Sequence, residues 1–220
     1  MTVETLISTA TPPLKHSDTV DFALGLLMEF RVRHLPVVDE DRRVTGILSE
    51  NRLLDSDGPD VLISELLSGE PVTIAPTAHI FESTGVMIEH DLTTLPVVDS
   101  EGYYLGLIQR QDLFEWYARM LGTQRPGAIL SVEIDERDYA LSQLIHAIEQ
   151  NDAKVHSIST EPVDKEAGTI QVTIKLNTID AARVRHILEH NGYKVTAAFG
   201  TSGDTDLTER VQEFMRYLEV

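Results

Sequence analysis

The sequence predicts an α+β protein in two parts: a duplicated unit of helix, strand, turn and strand, then a smaller βαββαβ unit with a terminal helix. Three observations carry this. Leu35-Pro36-Val37-Val38-Asp39 returns sixty positions later as Leu95-Pro96-Val97-Val98-Asp99. The same offset carries Gly25 onto Gly85, Glu29 onto Glu89, Gly46 onto Gly106 and Leu53 onto Leu113, a self-similarity expected of a structural repeat. Beyond Gly122-Thr123-Gln124-Arg125-Pro126-Gly127, which breaks the preceding helix, a new alternation of strand and helix periods begins.

Each element follows from its local pattern. Val20, Ala23, Leu24, Leu27 and Met28 form the apolar face of a helix over 19–30, with Asp18 or Ser17 as its expected N-cap. Leu35 to Val38 reads as a short buried strand, 39–43 as a polar turn, Val44 to Leu48 as a second strand, and Asn51 to Leu54 as the start of a short helix. The second copy repeats the series: helix from Ile80 to Glu89, strand Leu95 to Val98, turn 99–102, strand Tyr104 to Ile108, helix Asp112 to Leu121. One unit is too small to cover its own sheet, so the two copies are expected to face each other about a pseudo-twofold axis with crevices between them.

In the second half, Ala128 to Ile134 alternates as a strand and Tyr139 to Gln150 is helical, with Leu141, Leu144, Ile145 and Ile148 on one face and Asp138 as cap. Strands are expected at Lys154 to Ser159, Thr169 to Leu176 and Tyr193 to Phe199, with a polar turn region over 160–168. A helix over Ala181 to His190 is stopped by Asn191-Gly192. This order is the split ferredoxin-like plan, an antiparallel sheet with both helices on one face. Leu207, Val211, Phe214, Met215 and Leu218 lie at helical spacing, so 201–220 is expected to be an amphipathic helix. The domain reading is 1–60 and 61–121 for the repeats, 122–127 for a linker, 128–200 for the βαββαβ unit and 201–220 for the tail.

Composition limits the function. The 220 residues hold 18 Lys and Arg against 36 Asp and Glu, a formal net charge of −18. No basic stripe is available to displace phosphate counterions, so no nucleic-acid partner is expected, and an anionic membrane surface is equally disfavoured. The absence of cysteine excludes disulfides, thiolate nucleophiles and Cys-ligated metal. No apolar run is long enough to span a bilayer and no secretory signal is read at the N-terminus, so the cytoplasm is the expected compartment.

The stretches RHLPVVDEDRRVTGILSENRLL (Arg33 to Leu54) and TTLPVVDSEGYYLGLIQRQDLF (Thr93 to Phe114) resemble the CBS-domain family, whose tandem copies make a Bateman module. Segments Val3 to Ile7 and Ile63 to Leu67 look like the lead-ins of the two copies. The resemblance implies an adenosine-containing ligand (AMP, ADP, ATP or a relative) in the clefts. It rests on a Gly-x-x-Ser/Thr-x-x-Asp pattern, in which the glycine admits the ligand, the hydroxyl bonds phosphate or ribose, and the Asp accepts from the ribose diol. Each copy here holds half of it: Gly46 with Ser49 but Arg52 in place of the Asp, and Gly106 with Asp112 but Gln109 in place of the hydroxyl. Asp112, Gln109, Ser49 and Arg52 are therefore candidate nucleotide contacts. Arg33, His34 and Pro36 of the first copy join them, with His90, Thr93, Thr94, Pro96 and Arg110 of the second.

The βαββαβ unit resembles an ACT domain, and Leu188 to Val195 (LEHNGYKV) fits that family's last helix and strand. Its loop Asp135-Glu136-Arg137-Asp138-Tyr139 lacks the Gly or Pro that the family's ligand loop carries, which argues against an amino-acid ligand. The whole order resembles the acetoin-utilisation accessory (AcuB-like) family and implies a regulator without catalysis, assembled as a homodimer, with a protein target as a further partner. The alternative is a scaffold or dimerisation protein that binds nothing. His186-Ile187-Leu188-Glu189-His190 matches the spacing of inverted zinc peptidases, yet the stretch is already explained as a helix of the ferredoxin-like plan. The acids Asp55, Asp57 and Asp60 are spoiled as a calcium loop by Pro59 and a missing terminal Glu. Neither a metal nor an obligatory cofactor is expected.

Overall fold

A computed structural model describes residues 1–164 and 168–200. The helix expected over 201–220 lies outside the described residues. The chain divides into two compact units, Met1–Trp116 and Tyr117–Val220.

In the first unit, β1 (Leu14–Lys15), α1 (Val20–Phe30), β2 (His34–Val38), β3 (Val44–Ser49) and α2 (Glu50–Leu54) form one copy. The other comprises α3 (Ile63–Leu66), α4 (Ile80–Glu89), β4 (Thr94–Val98), β5 (Tyr104–Gln109) and α5 (Arg110–Met120). Strands β2 and β3 run antiparallel with Pro36 opposite Ile47 and Val37 opposite Gly46. Strands β4 and β5 repeat that register, with Pro96 opposite Leu107 and Val97 opposite Gly106. The bulge after Val37 recurs after Val97, so the duplication is preserved down to the irregularity of its ladder.

Helix α1 starts one residue later than the expected caps. The Thr19 hydroxyl accepts from the Phe22 N–H, and Asp18 instead accepts from the Lys15 N–H at 2.7 Å, closing the turn before the helix. The helix stops at Arg31, which takes the left-handed conformation (φ 54°) and returns its N–H to the Leu27 carbonyl. Leu14, Ala23, Leu27, Leu35, Val37 and Leu53 form the first copy's core, which Ile63 and Leu66 of α3 complete.

That last contact is half of an exchange. The second lead-in docks on the first copy: Ile63 N–H donates to the Asp18 carbonyl and Ser64 N–H to that of His16. The first lead-in docks on the second copy. Val3 N–H donates to the Ala78 carbonyl, and Ser8 and Leu107 exchange backbone hydrogen bonds of 2.8 and 3.0 Å. The glycines of the two sheets mark where the lead-ins arrive. A Cβ at Gly106 would stand 2.5 Å from Ile7 Cγ2 and 2.8 Å from the Ser8 carbonyl oxygen. One at Gly46 would meet Leu67 Cδ2 at 2.6 Å. The close approach that these glycines allow is made by the protein's own chain, not by a ligand.

The second unit contains β6 (Ile129–Asp135), α6 (Leu141–Glu149), β7 (Val155–Asp164), β8 (Thr169–Leu176), α7 (Ala181–His190) and β9 (Lys194–Phe199). The sheet order is β7-β8-β6-β9, antiparallel at every pairing, which is the ferredoxin-like arrangement. Leu130, Val132, Val172, Ile174 and Leu176 meet Leu144, Ile148, Val184 and Leu188 of the two helices in its core. Two local expectations change. Helix α6 begins at Leu141 after Ala140 and has no side-chain cap; the Asp135 carboxylate instead accepts from Arg137 N–H and opens a separate 3-10 turn over Glu136–Asp138. Strand β7 continues past Ser159 because Glu161 and Pro162 pair with Gln171 and Ile170. Among the described residues no helix is long and apolar enough to cross a membrane.

Gly106→Ala tests the exchange. Its φ of 151° and the fixed Ser8 carbonyl leave a methyl no room, so a loss of about 2 kcal/mol or more is expected in denaturant unfolding. Gly46→Ala, which meets only the end of the Leu67 side chain, is expected to cost less.

Candidate functional site

Strands β2 and β4 begin side by side, and their first residues are knitted together. The Thr94 hydroxyl, fully buried, donates to the His34 carbonyl at 2.8 Å. The Thr93 hydroxyl accepts from Arg33 N–H at 3.0 Å and lies 3.1 Å from His34 Nδ1, which also accepts from Thr93 N–H at 3.2 Å. An imidazole nitrogen that accepts a backbone N–H carries no proton, so His34 sits in its neutral form with the proton on Nε2. Burial holds its pKa below the usual histidine value; Arg33 and Arg110 push the same way, while Asp91 and Glu50 oppose.

Beside this seam lies a cavity of about 210 Å³ lined by Arg33, His34, Ser49, Glu50, Asn51, His90, Asp91, Thr93 and Arg110. Residues from both copies line it, and two positions contribute from each: 33 with 93, and 50 with 110. It therefore lies between the repeats. Arg33 Nε is 3.2 Å from Glu50 Oε2. Arg110 holds the end of α4, donating to the Leu92 carbonyl from Nε (3.0 Å) and Nη2 (2.7 Å) and to Asp91 Oδ1 (3.1 Å). Two guanidinium groups are thus balanced by two carboxylates within one cavity.

Six of the expected contacts meet here: Arg33, His34, Ser49, His90, Thr93 and Arg110. The other six are placed elsewhere. Pro36 and Pro96 are buried in their strands and Thr94 in the seam. Arg52 is exposed on α2. Gln109 Nε2 donates to the buried Thr11 hydroxyl at 3.2 Å. The Asp112 carboxylate accepts from Gln109 N–H at 3.3 Å, so it caps α5 from the helix's first turn. Ser49 caps α2 by accepting from Arg52 N–H at 3.2 Å. The two half-motifs are thus also the two halves of a capping box, one in each copy. The sequence reading missed Glu50, Asn51 and Asp91. A signal existed: sixty positions apart, Glu50 faces Arg110 and Arg31 faces Asp91 in the alignment, both with reversed charge.

In the second unit a cavity of about 570 Å³ opens where the Asp135–Tyr139 loop meets Asn191–Lys194. On α7, Glu189 of the His-x-x-Glu-His stretch is engaged by Arg185 at 2.8 Å.

The family model for the CBS domain matches residues 3–57 and 63–119, just over half of the chain. The protein belongs to the CBS-domain family. The first unit is accordingly a CBS pair. A curated relative, inosine-5'-monophosphate dehydrogenase of Korarchaeum cryptofilum, is 23% identical over 175 residues, 75% of this chain but only 37% of that enzyme. A solved structure of a putative acetoin utilization protein (AcuB) from Vibrio cholerae is 26% identical, with a TM-score of 0.50, over 56% of this chain and 95% of that one. A CBS domain pair/ACT domain protein of Thermotoga maritima is 24% identical with a TM-score of 0.50, covering 55% and 99%, and shares the fold.

The His34 seam makes a pH prediction. Because the folded pKa is depressed, the unfolded chain takes up the proton first as pH falls. This contribution to stability is complete above the ordinary histidine value of 6.5 and is lost as pH drops below it. Between pH 7 and 5 the melting temperature of the protein is expected to fall more steeply than that of His34→Gln. Equal slopes would assign His34 no such role.

Proposed function

We propose that this CBS-pair protein is a non-catalytic regulator that takes an adenosine-containing ligand (AMP, ADP, ATP or a relative) between its two copies. The observation that carries the reading is the shared cavity, in which Arg33, His34 and Ser49 of one copy face His90, Thr93 and Arg110 of the other. An anionic ligand seated there touches both copies at once. It can shift their arrangement by the difference in its affinity for each state, typically about 1–3 kcal/mol. We assign the copies to residues 1–60 and 61–121 and an ACT-like transmitting unit to 128–200, supported by its βαββαβ sheet order. Asp112, Gln109 and Arg52 are proposed as contacts for the nucleoside beyond the cavity, Asp112 with its diol.

Isothermal titration of the full chain with AMP, ADP, ATP and S-adenosylmethionine tests this. Arg33→Ala is expected to weaken binding about 10- to 100-fold, the span of one charge-assisted hydrogen bond. No heat with any of the four would overturn the reading. A ligand-free assembly module is the second reading, favoured by one fact: both cavity arginines already hold carboxylate partners. It predicts an unchanged melting temperature with all four compounds.

Transmission is proposed to run through a homodimer of the CBS pair. Met28 and Ile88 are 76% and 74% exposed at positions sixty apart, and Leu54 and Phe114 are 63% and 69% exposed at another such pair. Apolar positions exposed in both copies give a face that a second chain can match by twofold symmetry. Met28→Lys with Ile88→Lys is expected to halve the mass measured by light scattering. An unchanged mass, or a monomeric parent, would remove this face from the account.

A further inference from the structure

The cavity's charge pattern says more about its ligand than the presence of arginines does. Its two guanidinium groups are not free. Arg33 is held by Glu50 and Arg110 by Asp91, and all four side chains line the same space. A bare polyphosphate that met these arginines would stand beside two carboxylates, in a chain of net charge −18. Like charges at such range oppose binding.

The arrangement departs from the symmetry of the duplication in one particular way. Glu50 stands where the second copy has Arg110, so a pseudo-twofold cavity that could have carried two like charges carries one of each. Asp91, at the left-handed end of α4 (φ 47°), stands where the first copy has Arg31. Cation-seeking and anion-seeking groups therefore share one small space.

We propose that the cavity takes the magnesium-chelated polyphosphate of its nucleotide, with Arg33 and Arg110 on the phosphoryl oxygens and Glu50 and Asp91 on the hydrated cation. The inference rests on the nucleotide reading given above. Magnesium keeps several of its waters and is usually held by one or two carboxylates together with the phosphates of its ligand. Among the described residues no three His, Cys, Asp or Glu side chains are grouped to hold a metal ion, so phosphate oxygens and waters would have to complete the cation's shell. The chelate neutralises part of the phosphate charge and gives each carboxylate a cationic neighbour. Asn51, Ser49 and Thr93 supply neutral groups that can meet its waters. Size agrees: about 210 Å³ is below the roughly 300 Å³ at which sites for whole drug-sized ligands begin, so the space suits a phosphate–metal head with the nucleoside outside.

The test is isothermal titration of the full chain with ATP, in excess magnesium chloride and in EDTA, beside the variant carrying Glu50→Gln and Asp91→Asn. For the parent, magnesium is expected to tighten ATP binding about tenfold. In the double variant the arginines are released, so ATP in EDTA should bind at least as tightly as to the parent, and the tenfold gain should vanish. Circular dichroism confirms that the variant is folded. Equal parent affinity in magnesium and in EDTA would overturn the inference, as would a double variant that keeps the full magnesium gain, while ATP binding itself would leave the nucleotide reading standing. No binding of ATP under either condition, nor of the other adenosine compounds, would instead remove the nucleotide reading and this inference with it.

Discussion

The exchange of lead-in segments is the constraint on which the first unit depends. Neither copy closes its own sheet: Ile63 and Leu66 complete the core of the first, and the backbone around Ser8 adds to the edge of β5 in the second. The exchange needs glycine where the incoming chain lies against the sheet, which Gly106 and Gly46 provide. A chain threaded this way cannot separate its copies without exposing both cores. The starts of β2 and β4 are thereby held together, and the cavity at their seam is a consequence of that closure.

On this nearly twofold scaffold the chemistry is deliberately unequal. Side chains that pack the core stay mostly apolar from copy to copy (Val20 and Ile80, Leu27 and Met87, Leu35 and Leu95), since apolarity is what the duplicated sheets require. Side chains around the cavity do not. Position 50 or 110 is Glu in one copy and Arg in the other, and the helix-start motif keeps its hydroxyl in one and its carboxylate in the other. A cap needs only one acceptor at each helix start, so either half suffices for stability. That leaves the other half of each motif open to change without loss of fold.

The second unit shows how little a fold fixes about chemistry. Its antiparallel sheet and two covering helices satisfy the same packing rules in many unrelated proteins, so its role has to be argued from sites. The cavity at its Asp135–Tyr139 loop gathers Arg137, Lys194, Tyr139 and Tyr193, and Lys194 is already paired with Glu133 at 2.6 Å.

The sequence by itself determined the duplication, the element order of both units and six of the nine residues that line the cavity. These are written in short-range patterns: a five-residue identity at fixed offset, helical and strand periods, and glycines at matching places. Only the tertiary structure decided what the glycines admit, because Ile7 and Ser8 lie about a hundred positions from Gly106 and no local pattern records their arrival. It likewise decided that Asp112 and Ser49 are helix caps, that Gln109 is held by Thr11, and that Glu50 and Asp91 neutralise the arginines. Charge in a sequence is a list without distances, and Coulombic balance depends on distance; folding had to bring the four groups into one cavity before their signs could be weighed against each other.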